Sequence, residues 1–261
     1  MLLILLLIVV LYTIYQVKVI KTNKLTIETE KILSNDFIRI FQLSDYHNAK
    51  VNSQIIAKIK KEIPDIVVIT GDIIDKRTKD YSNVYILLEK IVEINNSVYF
   101  VNGNHEWKSG NLFGFLEEIE NIGVKLLNNN IEVLDIRGVK INLCGIDCFP
   151  LYCDFKEAKN ILDTEIYTIL LSHKPQITRF EGVAKIDLIL SGHTHGGQIR
   201  LPFIRPFLTE KDGISSRYDK GLFDKKELKL YIDSGVGTTR VPIRFFVRGQ
   251  VSLITVTSIK H

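Results

Sequence analysis

Apolar and polar positions divide this chain into two regimes. Residues 1–17 carry no charged side chain, and residues 1–11 are almost purely aliphatic. From residue 37 onward one pattern recurs: a short apolar run, a polar loop, then an amphipathic stretch. Residues 37–43 alternate as a strand does, and 51–62 place Val51, Ile55, Ile56 and Ile59 at helical spacing before Pro64 stops the helix. Residues 66–70 read as a buried strand, 81–94 as an amphipathic helix and 97–101 as a third strand. Later strands are expected at 139–146, 168–172, 187–191, 198–201, 228–233 and 251–257. So many late strands exceed what one parallel sheet accommodates, so the reading is an α/β fold of two packed sheets with helices outside.

The leading apolar run changes the picture of the domain's surroundings. At 1.5 Å per residue a helix over 1–20 is ~30 Å long, enough to span a bilayer. Tyr12 and Tyr15 then lie near an interface, and no small-residue cleavage site follows. The expected organisation is a transmembrane anchor at 1–20, a connector at 21–36 and one domain at 37–261. Lys18, Lys21 and Lys24 follow the run, which favours a cytoplasmic domain by the positive-inside rule.

Within 261 residues, 46% are hydrophobic and the formal net charge is +4. That supplies a large core and no concentrated basic stripe, so nucleic acid is not an expected partner. Cys144, Cys148 and Cys153 are odd in number and lack the paired C-x2-C spacing of a structural zinc site, which reads as packing thiols.

The chemistry lies in motifs placed just beyond the early strands. Asp45-Tyr46-His47 follows the first, Gly71-Asp72 the second and Gly103-Asn104-His105-Glu106 the third. His173 and Gly192-His193-Thr194-His195-Gly196-Gly197 follow later strands. Five of the six histidines fall in this set, and only His261 stands outside. Asp45 and His47, two apart in an extended segment, project to one face and can share a cation. Glycines flanking His193 and His195 let backbone approach a metal closely. A mixed imidazole, carboxylate and amide set without cysteine suits two divalent cations that clamp a phosphoryl group, with manganese first and zinc, iron or nickel as alternatives.

In their order, D-x-H, G-D, G-N-H-E, H and G-H-x-H, these motifs resemble the calcineurin-like metallophosphoesterase superfamily over nearly the whole chain from residue 37. Gly192 to Pro202 and Ser234-Gly235-Val236-Gly237-Thr238-Thr239 look like its bacterial membrane-anchored branch, which includes phosphodiesterases and enzymes that cleave UDP-2,3-diacylglucosamine. The resemblance implies a four-layer α/β/β/α sandwich. It assigns Asp45, His47 and His195 to a first cation, Asn104, His173 and His193 to a second, and Asp72 to both. His105 would protonate the leaving oxygen, with Asp75 setting its tautomer, while a metal-activated hydroxide attacks phosphorus. Tyr46 stands where relatives carry leucine, and Cys148 where they often carry an acid.

The expected substrate is a phosphodiester or pyrophosphate, lipid-linked or otherwise amphiphilic. Phe203, Phe207, Phe245 and Phe246 with Pro202, Pro206 and Pro242 are candidates for an apolar rim, and Arg200, Arg205 and Arg240 for phosphate contacts. The alternative is a metal-binding scaffold without turnover.

Overall fold

The computed structural model describes residues 1–33, 35–148, 162–179, 185–200, 218–225, 228–239 and 241–259. Two six-stranded mixed sheets pack face to face. The first is ordered β1 (Lys21–Thr29), β12 (Gln250–Ser258), β2 (Phe37–Leu43), β3 (Ile66–Ile69), β4 (Val98–Phe100) and β5 (Lys125–Leu126). From β2 to β5 its strands are parallel, and β12 runs against β2 but alongside β1. In the second sheet the order is β10 (Gly221–Lys225), β11 (Leu228–Ile232), β9 (Leu188–Ser191), β8 (Tyr167–Ser172), β7 (Val139–Ile146) and β6 (Asn130–Ile136). Its four inner strands are parallel, and β10 and β6 close the edges in antiparallel pairs.

Alternation along each strand builds the layers. Ile66 and Val68 of β3 point into the core between the sheets, meeting Ile141 and Leu143 of β7 and Ile169 and Leu171 of β8. Val67 and Ile69 point the other way, onto α2 (Asn52–Glu62), α3 (Ser82–Ile94) and α4 (Leu112–Ile122). The helical faces match: Val84, Leu87, Leu88 and Ile91 of α3 recur at i, i+3, i+4 and i+7. On the outer face of the second sheet, Cys144, Ile146, Leu170 and Ile189 pack with Leu162, Ile177 and Ile186. The 3₁₀ turn Pro175–Arg179 contributes Ile177 to that layer.

Three expectations need correction. The leading helix α1 covers Leu2–Lys18, 17 residues, and no helix among the described residues is long and apolar enough to cross a membrane. It stops where Val19 turns to extended backbone and Ile20 is drawn into the core, its N–H donating to Gln54 Oε1 at 3.0 Å. Residues 21–29, expected as a connector, are β1, paired with β12 along all nine positions from Lys21↔Gln250 to Thr29↔Ser258. Finally, 198–201 does not form a strand among its described residues: Gln198 closes the 3₁₀ turn His195–Gly197, and Ile199 makes a single bridge to Phe245.

Ile27 separates a strand from a connector. Its side chain is buried in the core between the sheets, so Ile27→Ala should cost about 3 kcal/mol. Urea denaturation of the full chain checks this; a flexible connector at this position would leave the midpoint unmoved.

Candidate metal centre

The parallel strands of both sheets end along one seam, and the loops leaving them carry the chemistry, as open α/β sheets place their crevices. Asp45 and His47 follow β2, Asp72 and Asp75 follow β3, Asn104 and His105 follow β4, His173 follows β8, and His193 and His195 follow β9. All nine sequence-derived site residues therefore meet at one place, and all are buried. Gln42 ties the two sheets just beneath it, donating to Thr70 Oγ1 and to the Ser191 carbonyl, both at 3.0 Å.

These loops are not extended. Asp45 (φ 46°), His47 (φ 48°), Asp72 (φ 52°), His193 (φ 75°) and His195 (φ 51°) all occupy the left-handed region. Such backbone is unfavourable for non-glycine residues and persists only where surroundings over-determine it. Here they do: Asp45 N–H donates to the Gly71 carbonyl, His47 N–H to that of Asp72, and Gly237 N–H to that of Asp45. Asp45 and His47 thus converge through a bonded turn rather than by strand alternation.

Two groups of donor atoms, Asp45 with His47 and His195 and Asp72 with His173 and His193, share no residue, and a third, His47 with Asp72 and His105, overlaps both. His47 Nε2 lies 3.1 Å from His195 Nε2, and His195 Nε2 lies 3.4 Å from Asp45 Oδ1. In the other group His193 Nδ1 is 3.0 Å, Asn104 Oδ1 3.2 Å and Asp72 Oδ2 3.3 Å from His173 Nε2. Adjacent ligands about 2.0–2.1 Å from a cation stand roughly 3.0–3.4 Å apart, so both spacings fit a shared ion. Asp72 Oδ2 also lies 3.8 Å from His47 Nε2, between the two groups.

Protonation follows from what each nitrogen faces. His173 Nδ1 is 2.9 Å from the Thr70 carbonyl, which can only accept, so this nitrogen carries hydrogen and the neutral ring presents its lone pair at Nε2. Burial opposes charge on His173, yet the Asp72 and Asp45 carboxylates outweigh it and push the pKa up to about 10. Burial likewise opposes the Asp72 anion, but His173, His47 and His105 hold its carboxyl well below the usual range. A field that would keep an imidazole positive and a buried acid ionised is one that favours a bound cation. Burial lowers the pKa of His47, and burial, the competing His47 ring and the Arg244 guanidinium lower that of His195 further, which favours neutral rings able to ligate.

His105 differs from the others. Lys76 N–H donates to its Nδ1 at 3.1 Å, which leaves the ring proton on Nε2, 4.0 Å from Asp72 Oδ2. Asp75 Oδ2 lies 3.4 Å from the same Nδ1, but the carboxylate's hydrogen bonds go to Arg77, through N–H at 2.9 Å and Nε at 2.7 Å. In this structure the Lys76 backbone, rather than Asp75, sets the tautomer.

Two supporting residues lie outside the sequence assignment. Glu106 accepts from the backbone N–H of Asp72 (2.8 Å), Ile74 (3.1 Å) and Gly103 (2.7 Å), clamping two site loops together. Burial and the Asp72 charge push its pKa up to about 7. Its place in Gly-Asn-His-Glu was a visible signal. Arg244 had none: fully buried, it donates to the carbonyls of Gly237 and Ser234, and its Nη2 lies 3.4 Å from His195 Nδ1.

The remaining candidates separate clearly. Tyr46 is buried in the core with its hydroxyl bonded to Asn52 and Asn83. Cys144 and Cys148 are free and buried, burial pushes both thiols up, and no cysteine joins a possible metal group among the described residues. Arg200 pairs with Asp219. Phe245 packs edge-on against Tyr12, while Pro242 and Phe246 are exposed. Cys153, Pro202, Phe203, Arg205, Pro206, Phe207 and Arg240 lie outside the described residues.

Two glycines admit no side chain. A Cβ at Gly103 would overlap the Asp72 carboxylate, and one at Gly192 would overlap Ser44 Oγ and Asp45 Oδ2. Gly103→Ala and Gly192→Ala should each bind fewer than two metal equivalents, measured by elemental analysis of the folded protein after dialysis against Mn²⁺. Full occupancy in both would show that the loops shift without disturbing the donors.

Comparison with known proteins agrees with this geometry. The calcineurin-like phosphoesterase family matches residues 38–197. An uncharacterized metallophosphoesterase of Aquifex aeolicus is 31% identical over 252 residues, covering 91% of this chain and 92% of the relative. YkuE of Bacillus subtilis, also an uncharacterized metallophosphoesterase, is 30% identical over 219 residues, covering 83% and 76%. A Campylobacter jejuni relative, Cj0846, is 31% identical, and the match spans only 58% of its length. Among solved structures, a dimetal phosphatase from Danio rerio shares the fold at 11% identity with a TM-score of 0.52, covering 85% of this chain and 99% of that one. Sequence match and strand-end site together place this chain in the calcineurin-like phosphoesterase family.

Proposed function

We propose that the protein hydrolyses a phosphodiester or pyrophosphate bond with two divalent cations, and that its substrate is amphiphilic and lipid-linked. The observation that carries the hydrolytic reading is the position of Asp72, whose Oδ2 reaches His173 at 3.3 Å in one donor group and His47 at 3.8 Å in the other. Asp45, His47 and His195 would hold one ion, Asn104, His173 and His193 the second, and Asp72 both. Such a pair supplies Lewis-acid polarisation of the phosphoryl group and a lowered pKa for water. The aspartate and asparagine oxygens favour manganese, with zinc, iron and nickel as the other fitting ions.

The chain's own groups do the rest. His105 holds a proton on Nε2, beside Asp72, and donates it to the departing oxygen. Its donor nitrogen stays in place because Lys76 N–H occupies the other one. Glu106 keeps the Asp72 and Gly103 loops in register. For the amphiphilic substrate, the support is α1. Its residues 2–11 are aliphatic and exposed on every side, and a helix apolar all round belongs in an apolar medium. This exposed apolar surface supports the reading that the protein works against a membrane.

The full chain, stripped with a chelator, should not cleave a chromogenic phosphodiester until Mn²⁺ is restored. Asp72→Asn should lose both metal and rate. His105→Ala should keep two metals while its rate falls about 10²–10⁴-fold. Two bound ions with no turnover of any phosphodiester or pyrophosphate would instead favour a scaffold.

A further inference from the structure

Exposed apolar side chains gather at a second place, the loop over residues 241–246. Val241 is 38% exposed, Ile243 40% and Phe246 48%. Phe246 also has φ 55°, so a bulky residue is held in left-handed backbone with its ring half in solvent. Neither exposure nor strain helps the fold, and such cost commonly marks a functional contact.

This loop abuts α1. Tyr12 packs on Phe245 and Phe246 with ring centroids 5.4 and 5.5 Å apart. Arg248 donates to Tyr15 Oη at 2.5 Å and lies over its ring at 5.2 Å. The apolar helix and the apolar loop therefore form one continuous surface, edged by tyrosines and a guanidinium.

We propose that residues 241–246 dock, together with α1, onto an anionic lipid bilayer, with Phe246 and Ile243 entering the near leaflet and Arg248 at headgroup level. The inference rests on the lipid reading of α1 and extends it by giving the catalytic domain its own membrane contact.

Three observations select lipid over a protein partner. A protein groove would cover one stripe of α1, whereas consecutive residues 2–11 are all exposed, which only a surrounding medium can cover. Those residues extend about 15 Å beyond the Tyr12 contact, which reaches the middle of a ~30 Å hydrocarbon layer. Tyrosine and arginine at the junction are the side chains that settle where hydrocarbon meets headgroups.

The anionic preference comes from charge. Lys18 is exposed in the last turn of α1, Lys21 N–H donates to the Gly249 carbonyl just beyond it, and Arg248 lies over the Tyr15 ring, so three cationic side chains gather at the junction. Burial lowers the pKa of Lys21, with Asp233 opposing and Arg248 adding to the effect, and burial with the Arg248 and Lys61 charges lowers that of Lys58 against Glu62. A cluster of cations beside an apolar helix end is attracted to a negatively charged headgroup layer. The docked loop is also the wall of the metal centre, since Arg244 sits between Ile243 and Phe245 and reaches His195.

Flotation of the full chain with phosphatidylcholine vesicles, with and without phosphatidylglycerol, tests the proposal. The wild type should float, and more strongly with phosphatidylglycerol. Ile243→Asp/Phe246→Asp should reduce partitioning at least about tenfold with α1 intact. The milder Phe246→Ser should give a smaller loss in the same direction. Both variants should keep the wild-type circular dichroism spectrum and urea midpoint, which shows them folded.

Flotation of the double variant at wild-type strength would overturn the loop contact and leave α1 as the membrane element. No flotation of the wild type would overturn both lipid readings without touching the hydrolytic one. A wild-type dimer in vesicle-free buffer that becomes monomeric in the double variant would mean that a second copy covers the patch, and the proposal fails. Because flotation needs no turnover, absence of metal-dependent hydrolysis would not obscure any of these results.

Discussion

The fold turns on the ionised Asp72 carboxylate, held almost out of reach of water. An isolated carboxylate in such a place costs several kcal/mol, and the structure surrounds this one with compensation. His105 N–H donates to Oδ1 at 2.7 Å, and imidazoles from two other loops approach Oδ2. Gly103 exists to let that approach happen, because a side chain there would strike the carboxylate. The residue's own N–H is taken by Glu106, so the loops after β3 and β4 close on each other around one charge. The same charge pushes the His173 imidazole toward its protonated form, so the carboxylate and the rings around it are matched to a positive partner.

Much of this was legible because chemistry and periodicity fall on different residues. The strands 37–43 and 139–146 emerge with the same bounds that their apolar runs imply, and motif residues stand where those runs end. The parts that were not legible share a cause: their partners are distant in sequence. Residues 21–29 look polar because β1 is an outer strand, and only the nine-residue pairing with β12 reveals it. Arg244 lies 49 positions from His195 and follows no pattern that would flag it. The contact between Asp75 and His105 was expected from resemblance, but the backbone N–H of the next residue, Lys76, competes for the same nitrogen and cannot be seen in a string of side chains.

Left-handed backbone at five site positions has the same character. Sequence shows Gly71, Gly192, Gly196 and Gly197 as places where the chain can bend, yet the strained residues are aspartates and histidines, of which Asp72, His193 and His195 adjoin those glycines and Asp45 and His47 do not. Glycine provides clearance while the functional residue carries the unfavourable torsion. The bonds from Gly71, Asp72 and Asp45 carbonyls compensate it. Rigidity at the site is therefore obtained from backbone pairing between loops, which side-chain motifs do not encode.

The end of α1 gives the leading helix a mechanical character. Gly249 N–H donates to the Gln16 carbonyl at 2.9 Å, Gln54 Nε2 to the Lys18 carbonyl at 2.8 Å, and Gln54 Oε1 accepts from Ile20. These bonds come from β12's approach and from α2, so the helix is riveted on two sides and leads into β1 without slack. A leash would let the domain sample a hemisphere and would only raise encounter frequency. A strut fixes an angle and a standoff, so whatever holds α1 also sets which way the seam of histidines faces.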